Sequence, residues 1–299
     1  IDLQERFPEL NVKPIIADIR DKNRIFQEFQ RAKPNLVFHA AAHKHVPLME
    51  KNVEECVLNN ILGTQIILEA CIKYKVKRFV LISTDKAIRP ASVMGATKRI
   101  AEMLVLDVAE RTGEPFSVVR FGNVLGSRGS VVPLFKRQIA RGGPITITHP
   151  DMERYFMTIP EAVYLVLQSA SMGKGGETFI LNMGEQVRIV DLAKDLIRLS
   201  GLEPNKDIDI VFTGMREGEK LSEDLWNSNC KFRKTSHPDV FCEEGQDKLV
   251  GEDLKKAVNN LIKLARDGRA EEILSYLDEV VPDSYVQNHR NIEISAIDS

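Results

Sequence analysis

Arg78-Phe79-Val80-Leu81-Ile82-Ser83-Thr84-Asp85-Lys86-Ala87 decides how the rest of the chain is read. Phe79 to Ile82 is apolar without alternation, the pattern of a strand covered on both faces, as in a parallel sheet. A hydroxyl, a carboxylate and an amine follow at once. In open α/β sheets the carboxyl ends of the strands face the ligand crevice, so Thr84, Asp85 and Lys86 become candidates for chemistry. The plainer alternative is a polar turn in which Asp85 caps backbone amides and Lys86 is solvated.

The same rhythm recurs on either side. Upstream, Pro14–Asp18 and Leu36–Ala42 are expected to be strands, the second buried on both faces, with a helix through Ile25, Phe26 and Phe29 between them. Val53, Val57, Ile61, Leu62 and Ile66 then recur at helical spacing. Downstream, Met94 to Arg111 reads as a helix through Ile100, Leu104 and Val108, and Phe116–Phe121 as a further strand. Strands alternating with helices of this length predict an α/β fold with right-handed crossovers and a doubly wound parallel sheet. Past residue 125 glycines and prolines break the pattern, and helices return at 159–170, 189–200 and 253–280. The chain is therefore expected to divide into 1–125, which carries the parallel sheet, and 126–299, a smaller α/β region that caps the strand ends.

Composition narrows the function. The 299 residues carry 41 Lys and Arg against 43 Asp and Glu, a net charge of −2. That leaves no electrostatic footprint for nucleic acid or an anionic membrane surface, so an anionic ligand must be gripped by local groups. Ile1–Arg6 lacks the apolar core of a signal peptide. Cys56, Cys71, Cys230 and Cys242 form no CxxC pair, which predicts reduced thiols and a cytoplasmic setting. The first 62 residues contain no glycine. A dinucleotide-binding sheet has a Gly-rich turn after its first strand, where backbone approaches a pyrophosphate. If the sheet is of that kind, its first βαβ segment is expected to be absent from this chain, and the chain alone to be inactive.

Met94-Gly95-Ala96-Thr97-Lys98-Arg99 opens the next helix and places Met94 and Lys98, four apart, on one face. Taken with HAAA at His39–Ala42, STDKA at Ser83–Ala87, RFGNVLGSRGSVVPLF at Arg120–Phe135, PITITHPDMERYFMTIPEA at Pro144–Ala162 and GMREGEKLSEDL at Gly214–Leu225, the series resembles the extended short-chain dehydrogenase/reductases. Within them it is similar to the nucleotide-sugar 4,6-dehydratases of bacterial polysaccharide biosynthesis, over residues 10–230.

The resemblance implies a partial NAD(P)-binding Rossmann domain followed by a UDP-sugar-binding region. It implies NAD as cofactor, with NADP as the alternative, UDP-N-acetylglucosamine as substrate, and a homo-oligomer. Some relatives also carry a membrane-anchored N-terminal domain. In the implied reaction a hydride leaves C4 of the sugar, the resulting ketone acidifies the C5 proton, water leaves from C6, and the hydride returns to C6. Lys86 would be the C5 base, Asp85 the acid to the C6 hydroxyl, Thr84 the partner of the C4 oxygen, and Lys98 the holder of the nicotinamide ribose. Those roles call for a lysine pKa lowered and a carboxyl pKa raised by desolvation. Asp18, Ile19, Ala40, Ala41, Ala42, Lys44 and Asn59 are implied as cofactor contacts. Lys44, Asn123, Thr146, Thr148, Arg154, Arg216 and Glu219 are implied for the sugar nucleotide, with the Arg216 guanidinium bidentate on its diphosphate. No metal is expected at His39, His43 or His45, where no acidic fourth ligand is evident.

One position departs from the superfamily. Met94 stands where most members have the tyrosine of a YxxxK pair, and a thioether exchanges no proton. The Met resembles the branch that retains configuration at C5. A C5-inverting dehydratase would keep Asp-Lys but have Tyr at 94; a UDP-sugar 4-epimerase would have that Tyr and lack Asp-Lys. A non-enzymatic binding relative is the remaining alternative.

Overall fold

The computed structural model of the chain describes residues 2–127, 129–226, 230–245 and 248–287. Its frame is a six-stranded sheet in the order Leu36–His39, Arg78–Ile82, Phe116–Arg120, Thr178–Leu181, Val240–Glu244, Lys231–Lys234. The first four strands are parallel; the last two run antiparallel to their neighbours. Alternation explains why the inner strands read as continuous apolar runs. Phe79, Leu81, Phe116 and Val118 enter one core, with the helices Val53–Lys73, Val93–Thr112, Gly251–Arg266 and Ala270–Val280. Val80 and Val119 point the other way, into a core shared with the helix Ile159–Met172. Strands and helices from both sides of residue 125 thus share one sheet and its cores.

The helices behave as their patterns demand, with instructive exceptions. Lys22–Ala32 begins at Asp21, whose side chain accepts from the Arg24 amide, and buries Ile25. Val93–Thr112 is capped by Ser92 and ends at Gly113 in the left-handed conformation. Every residue from Val93 to Ala109 in that helix is buried, because sheet and helices enclose it. Val53–Lys73 is apolar and long enough to span a membrane by composition, yet it packs inside the first core. It contains a π-helical turn at Leu58–Leu62. The helical region expected over 253–280 consists of two helices, which meet at Gly268, itself left-handed.

Two expected strands are corrected. Pro14–Asp18 forms no strand, and Ile16 is almost fully exposed. Leu36–His39 is a strand, but it is the sheet edge, and Leu36 and Phe38 are exposed rather than buried on both faces. A strand exists only by pairing, and apolar composition cannot supply a neighbour. A third, smaller core of Phe135, Ile139, Ile145, Ile147, Ile189 and Ile197 sits with the irregular region downstream. The four cysteines are free, three of them buried.

Candidate active site

The carboxyl ends of the first three strands and the irregular region enclose a cavity of about 480 Å³. Thr84, Lys86, Met94, Lys98 and Asn123 line its floor together, and Lys44, Thr146, Thr148, Arg154, Arg216 and Glu219 line other walls. Ala40 and Ala42 are also in the wall. Asp85 lies just beneath, fully buried.

The floor is built from close approaches. Asp85–Ala87 forms one 3-10 turn off the strand end, capped by the Thr84 hydroxyl, which accepts from the Lys86 amide. A Cβ on Gly95 would sit 2.2 Å from the Lys86 carbonyl oxygen, so only glycine lets the Val93–Thr112 helix start against this turn. A Cβ on Gly122 would lie 3.0 Å from Asp85 Oδ2. The helix then presents Met94 and Lys98 to the cavity as the four-residue spacing predicts.

Lys86 is an engaged ammonium, not a solvated one. Its Nζ donates to Asp85 Oδ1 at 3.0 Å and to Asn123 Oδ1 at 3.4 Å, and lies 3.4 Å from Glu223 Oε1. The Thr84 hydroxyl donates to the same Asp85 oxygen at 2.8 Å. Asp85 Oδ2 and Glu223 Oε2 are buried without a hydrogen bond. Burial pushes Lys86 down, but Asp85 and Glu223 outweigh it, and the pKa stands above the ordinary lysine value. The expectation of a lowered lysine is therefore reversed, because the two carboxylates dominate desolvation. Lys98 shows the opposite balance. Its Nζ donates to the Ile82 carbonyl at 2.7 Å, and burial pushes it down to about 8 against the pull of Glu102.

Other expected contacts divide. Arg216 is exposed at the cavity, and its guanidinium has no partner among the described residues, while Glu219 accepts from the Arg216 amide. Arg154 lines the cavity, but its guanidinium donates to the Glu153, Lys220 and Leu221 carbonyls; it clamps the loop that carries Arg216. Asn123 serves Lys86. Thr146 accepts from Gln138, and Thr148 donates to Met152 Sδ. Lys44 Nζ reaches Ser127 Oγ at 3.5 Å.

Asp18, Ile19, Ala41 and Asn59 are not in this wall. Asp18 is held by Arg20, whose hydrogen bonds keep its carboxyl low, and Ile19 packs against Gly63. The Asn59 side-chain amide donates to Asn60 Oδ1 at 3.2 Å. Asn60 itself, on the π-helical turn, is the brace sequence reading missed. Its Oδ1 accepts from the His43 amide at 2.8 Å, and its Nδ2 donates to the His43 carbonyl and to Thr97 Oγ1. That stitches the 40–45 turn to the catalytic-face helix, a use of π-turns common near sites. His39 pairs with Thr64, and burial takes it down to about 3; His43 pairs with Glu55. Among the described residues no group of three or more His, Cys, Asp and Glu could hold a metal.

A mostly parallel sheet with helices on both faces and a cavity at the carboxyl ends of its strands is the Rossmann-type α/β architecture, with the Thr84–Lys86 turn and Lys98 where such sheets bind their ligands. A family described as polysaccharide biosynthesis protein matches residues 2–244, and the chain belongs to it. The capsular polysaccharide biosynthesis protein CapD of Staphylococcus aureus is 59% identical over 217 residues, covering 72% of this chain and 36% of that protein. The chain thus spans little more than a third of that relative's length. A UDP-N-acetylglucosamine 4,6-dehydratase (inverting) of Campylobacter jejuni is 36% identical over 250 residues, 82% of this chain and 72% of that enzyme. Among solved structures, a UDP-glucose 4-epimerase of Thermotoga maritima with UDP-glucose superimposes with a TM-score of 0.65 at 26% identity, covering 71% of this chain and 74% of that one.

Proposed function

We propose that the protein is a cytoplasmic, NAD-dependent hydro-lyase that converts UDP-N-acetylglucosamine to UDP-4-keto-6-deoxy-N-acetylglucosamine for polysaccharide synthesis, with C5 configuration retained. The observation that carries this reading is the Asp85–Lys86 ion pair at 3.0 Å on the cavity floor. An epimerase needs no acid–base pair of this kind, whereas eliminating water across C5 and C6 needs a base for one and an acid for the other.

The donor set fits the nicotinamide end of the cofactor. Lys98 Nζ gives one N–H to Ile82 and, at the cavity wall, has others to offer adjacent ribose hydroxyls. NAD⁺ supplies an acceptor for the C4 hydride and restores it at C6. The chain's own residues do the rest. Thr84 lies beside Asp85, where its hydroxyl meets the sugar's C4 oxygen. One proton moving from Lys86 Nζ to Asp85 Oδ1 turns the resting pair into an amine and a carboxylic acid. The C4 hydroxyl proton leaves to cavity water as the hydride departs. The amine then takes the C5 proton while the acid protonates the departing C6 hydroxyl, and Lys86 returns a proton to C5 when the hydride arrives at C6. Arg216 holds the diphosphate at the mouth, where a planar guanidinium bonds two oxygens at once.

The inverting course is the second reading, supported by the name of the Campylobacter relative; the resemblance of Met94 to the branch that retains C5 configuration favours retention. Protein expressed from its complete gene, incubated with UDP-N-acetylglucosamine in D₂O, should give a 4-keto-6-deoxy product with one deuterium at C5 and the gluco-type configuration by NMR. An arabino-type product would establish inversion. A product that keeps its C6 hydroxyl would replace the dehydratase with an epimerase.

A further inference from the structure

Glu223 is a site residue that the mechanism above does not use. It lies 137 positions from Lys86 in sequence, is 3% exposed, and places Oε1 3.4 Å from Lys86 Nζ. Its Oε2 makes no hydrogen bond and has the Lys220 ammonium 3.9 Å away. Lys220 Nζ in turn donates to the Ile88 carbonyl at 2.8 Å, at the end of the Asp85–Ala87 turn, and faces the Tyr285 ring. Two carboxylates and two ammonium groups therefore alternate in a buried row: Asp85, Lys86, Glu223, Lys220. The loop bearing Glu223 and Lys220 is fixed to the cavity floor by Arg154 through the Lys220 and Leu221 carbonyls.

We propose that Glu223 is a positioning residue for Lys86, and that with Lys220 it sets the pH range over which the Asp85–Lys86 pair keeps its single working proton. This rests on the dehydratase reading. The proton balance explains why the pair must hold one proton and not none. At rest that proton is on Lys86. Transfer to Asp85 breaks an N–H bond and forms an O–H bond. Elimination then forms N–H from the C5 proton and breaks O–H to make water, which restores the ammonium and carboxylate. As the hydride arrives at C6 the ammonium gives a proton to C5, and a proton from water, equal to the one the C4 hydroxyl released on oxidation, recharges Lys86. Glu223 exchanges no proton in this cycle. It supplies a second negative neighbour that holds the ammonium in place against loss to solvent.

Asp85 and Glu223 favour the Lys86 ammonium and Arg154 opposes it; Lys220, across Glu223 from Lys86, is a further positive neighbour of the row. The charges that face Lys220 are Glu223, Asp224 and Asp85 against Arg89. Removing the Glu223 charge should therefore loosen the Lys86 proton, and removing Lys220 afterwards should tighten it again.

The test is the pH profile of kcat for wild type, Glu223→Gln, Glu223→Asp and the double variant Glu223→Gln/Lys220→Met, with protein expressed from its complete gene and NAD⁺ supplied. In Glu223→Gln the alkaline limb should fall by about 1–3 pH units, the usual effect of losing an opposite charge this close, with KM for the UDP-sugar unchanged. Glu223→Asp should move it less. The double variant should recover part of the shift yet stay below wild type, which a merely structural loss would not do. Should Glu223→Gln fail to fold, the charge-balanced double variant is compared directly with wild type. An alkaline limb at the wild-type position in the variants overturns the proposal, as does a double variant with a lower limb than Glu223→Gln. A wild type that forms no dehydrated product refutes the dehydratase reading instead.

Discussion

Two buried charge clusters meet at the end of the Arg78–Ile82 strand, and they are made differently. Ser83 belongs to the first. Its hydroxyl donates to Glu102 Oε1 at 2.5 Å, Arg120 donates to both Glu102 oxygens at 3.1 and 2.7 Å, Arg99 adds a bond at 3.1 Å, and Arg120 reaches Glu243 at 2.9 Å. Asp85, two residues on, belongs to the second, with Lys86, Glu223 and Lys220. Each cluster balances two acids against two bases. In the first both Glu102 oxygens are bonded; in the second Asp85 Oδ2 and Glu223 Oε2 are buried without a hydrogen bond, beneath the cavity that Lys86 lines. Buried polar groups are normally satisfied, and the exceptions mark places where something else is accommodated. The closed cluster holds the sheet to its helix. The second is the one to which the proposed chemistry assigns the mobile proton.

Breaking each cluster should therefore hurt in a different way. The largest effect is expected at Lys86: Lys86→Met should lower dehydratase turnover about 10²–10⁴-fold, the scale of a lost general base. It should cost less folding stability than breaking the closed cluster, since Lys86 lines the cavity and Lys220 remains beside Glu223. Turnover near wild type would return Asp85 and Lys86 to a polar turn. Next is Glu102→Gln, which leaves Arg120 and Arg99 buried without their shared carboxylate and should cost about 3–5 kcal/mol in denaturant unfolding. A loss under about 1 kcal/mol would mean that the closed cluster does not secure the fold.

Acid sharpens the contrast further. Arg120 and Arg99 outweigh burial and hold Glu102 at about 2, below its ordinary value. A depressed carboxyl contributes stability that is fully present above about pH 4.5 and is lost as pH falls toward 2. Wild type should lose on the order of 2 kcal/mol from this group between pH 5.5 and 3, and the slope should flatten in Glu102→Gln. A slope indifferent to the substitution would assign acid sensitivity elsewhere. The smallest effect is expected at Met94, which touches the cavity but holds no proton. Met94→Leu conserves volume and should cost under about 1.5 kcal/mol, with turnover near that of wild type. A large loss of turnover with stability intact would show that the thioether does more than fill space.

Much of this was visible in the residues. The unbroken apolar run of Phe79–Ile82, the polar turn after it and the spacing of Met94 and Lys98 placed the candidate chemistry at a strand end, where the structure has it. Arg154 and Asn123, expected as substrate contacts, line the cavity, but the bonds they make within the protein are not legible in sequence: Arg154 clamps a loop and Asn123 bonds Lys86. The partners they found are backbone carbonyls and a side chain far along the chain, and hydrogen bonding of that reach has no periodicity to read. Pro14–Asp18 looked like a strand because its composition suits one, but pairing is a property of a neighbour.

What the amino-acid order determined by itself is local: which segments can be strand or helix, which face is apolar, and that a hydroxyl, a carboxylate and an amine follow one another at residues 84–86. Those follow from steric preference and from periods of 2 and 3.6 residues. The tertiary structure alone decided the ionisation of Lys86. Asp85 and Lys86 are adjacent in the chain, yet Lys86 lies above its ordinary pKa because Glu223 comes in from another loop and outweighs, with Asp85, the cost of burial. Coulomb energy depends on distance in space and on what displaces water between the charges, and neither quantity exists until the chain has folded.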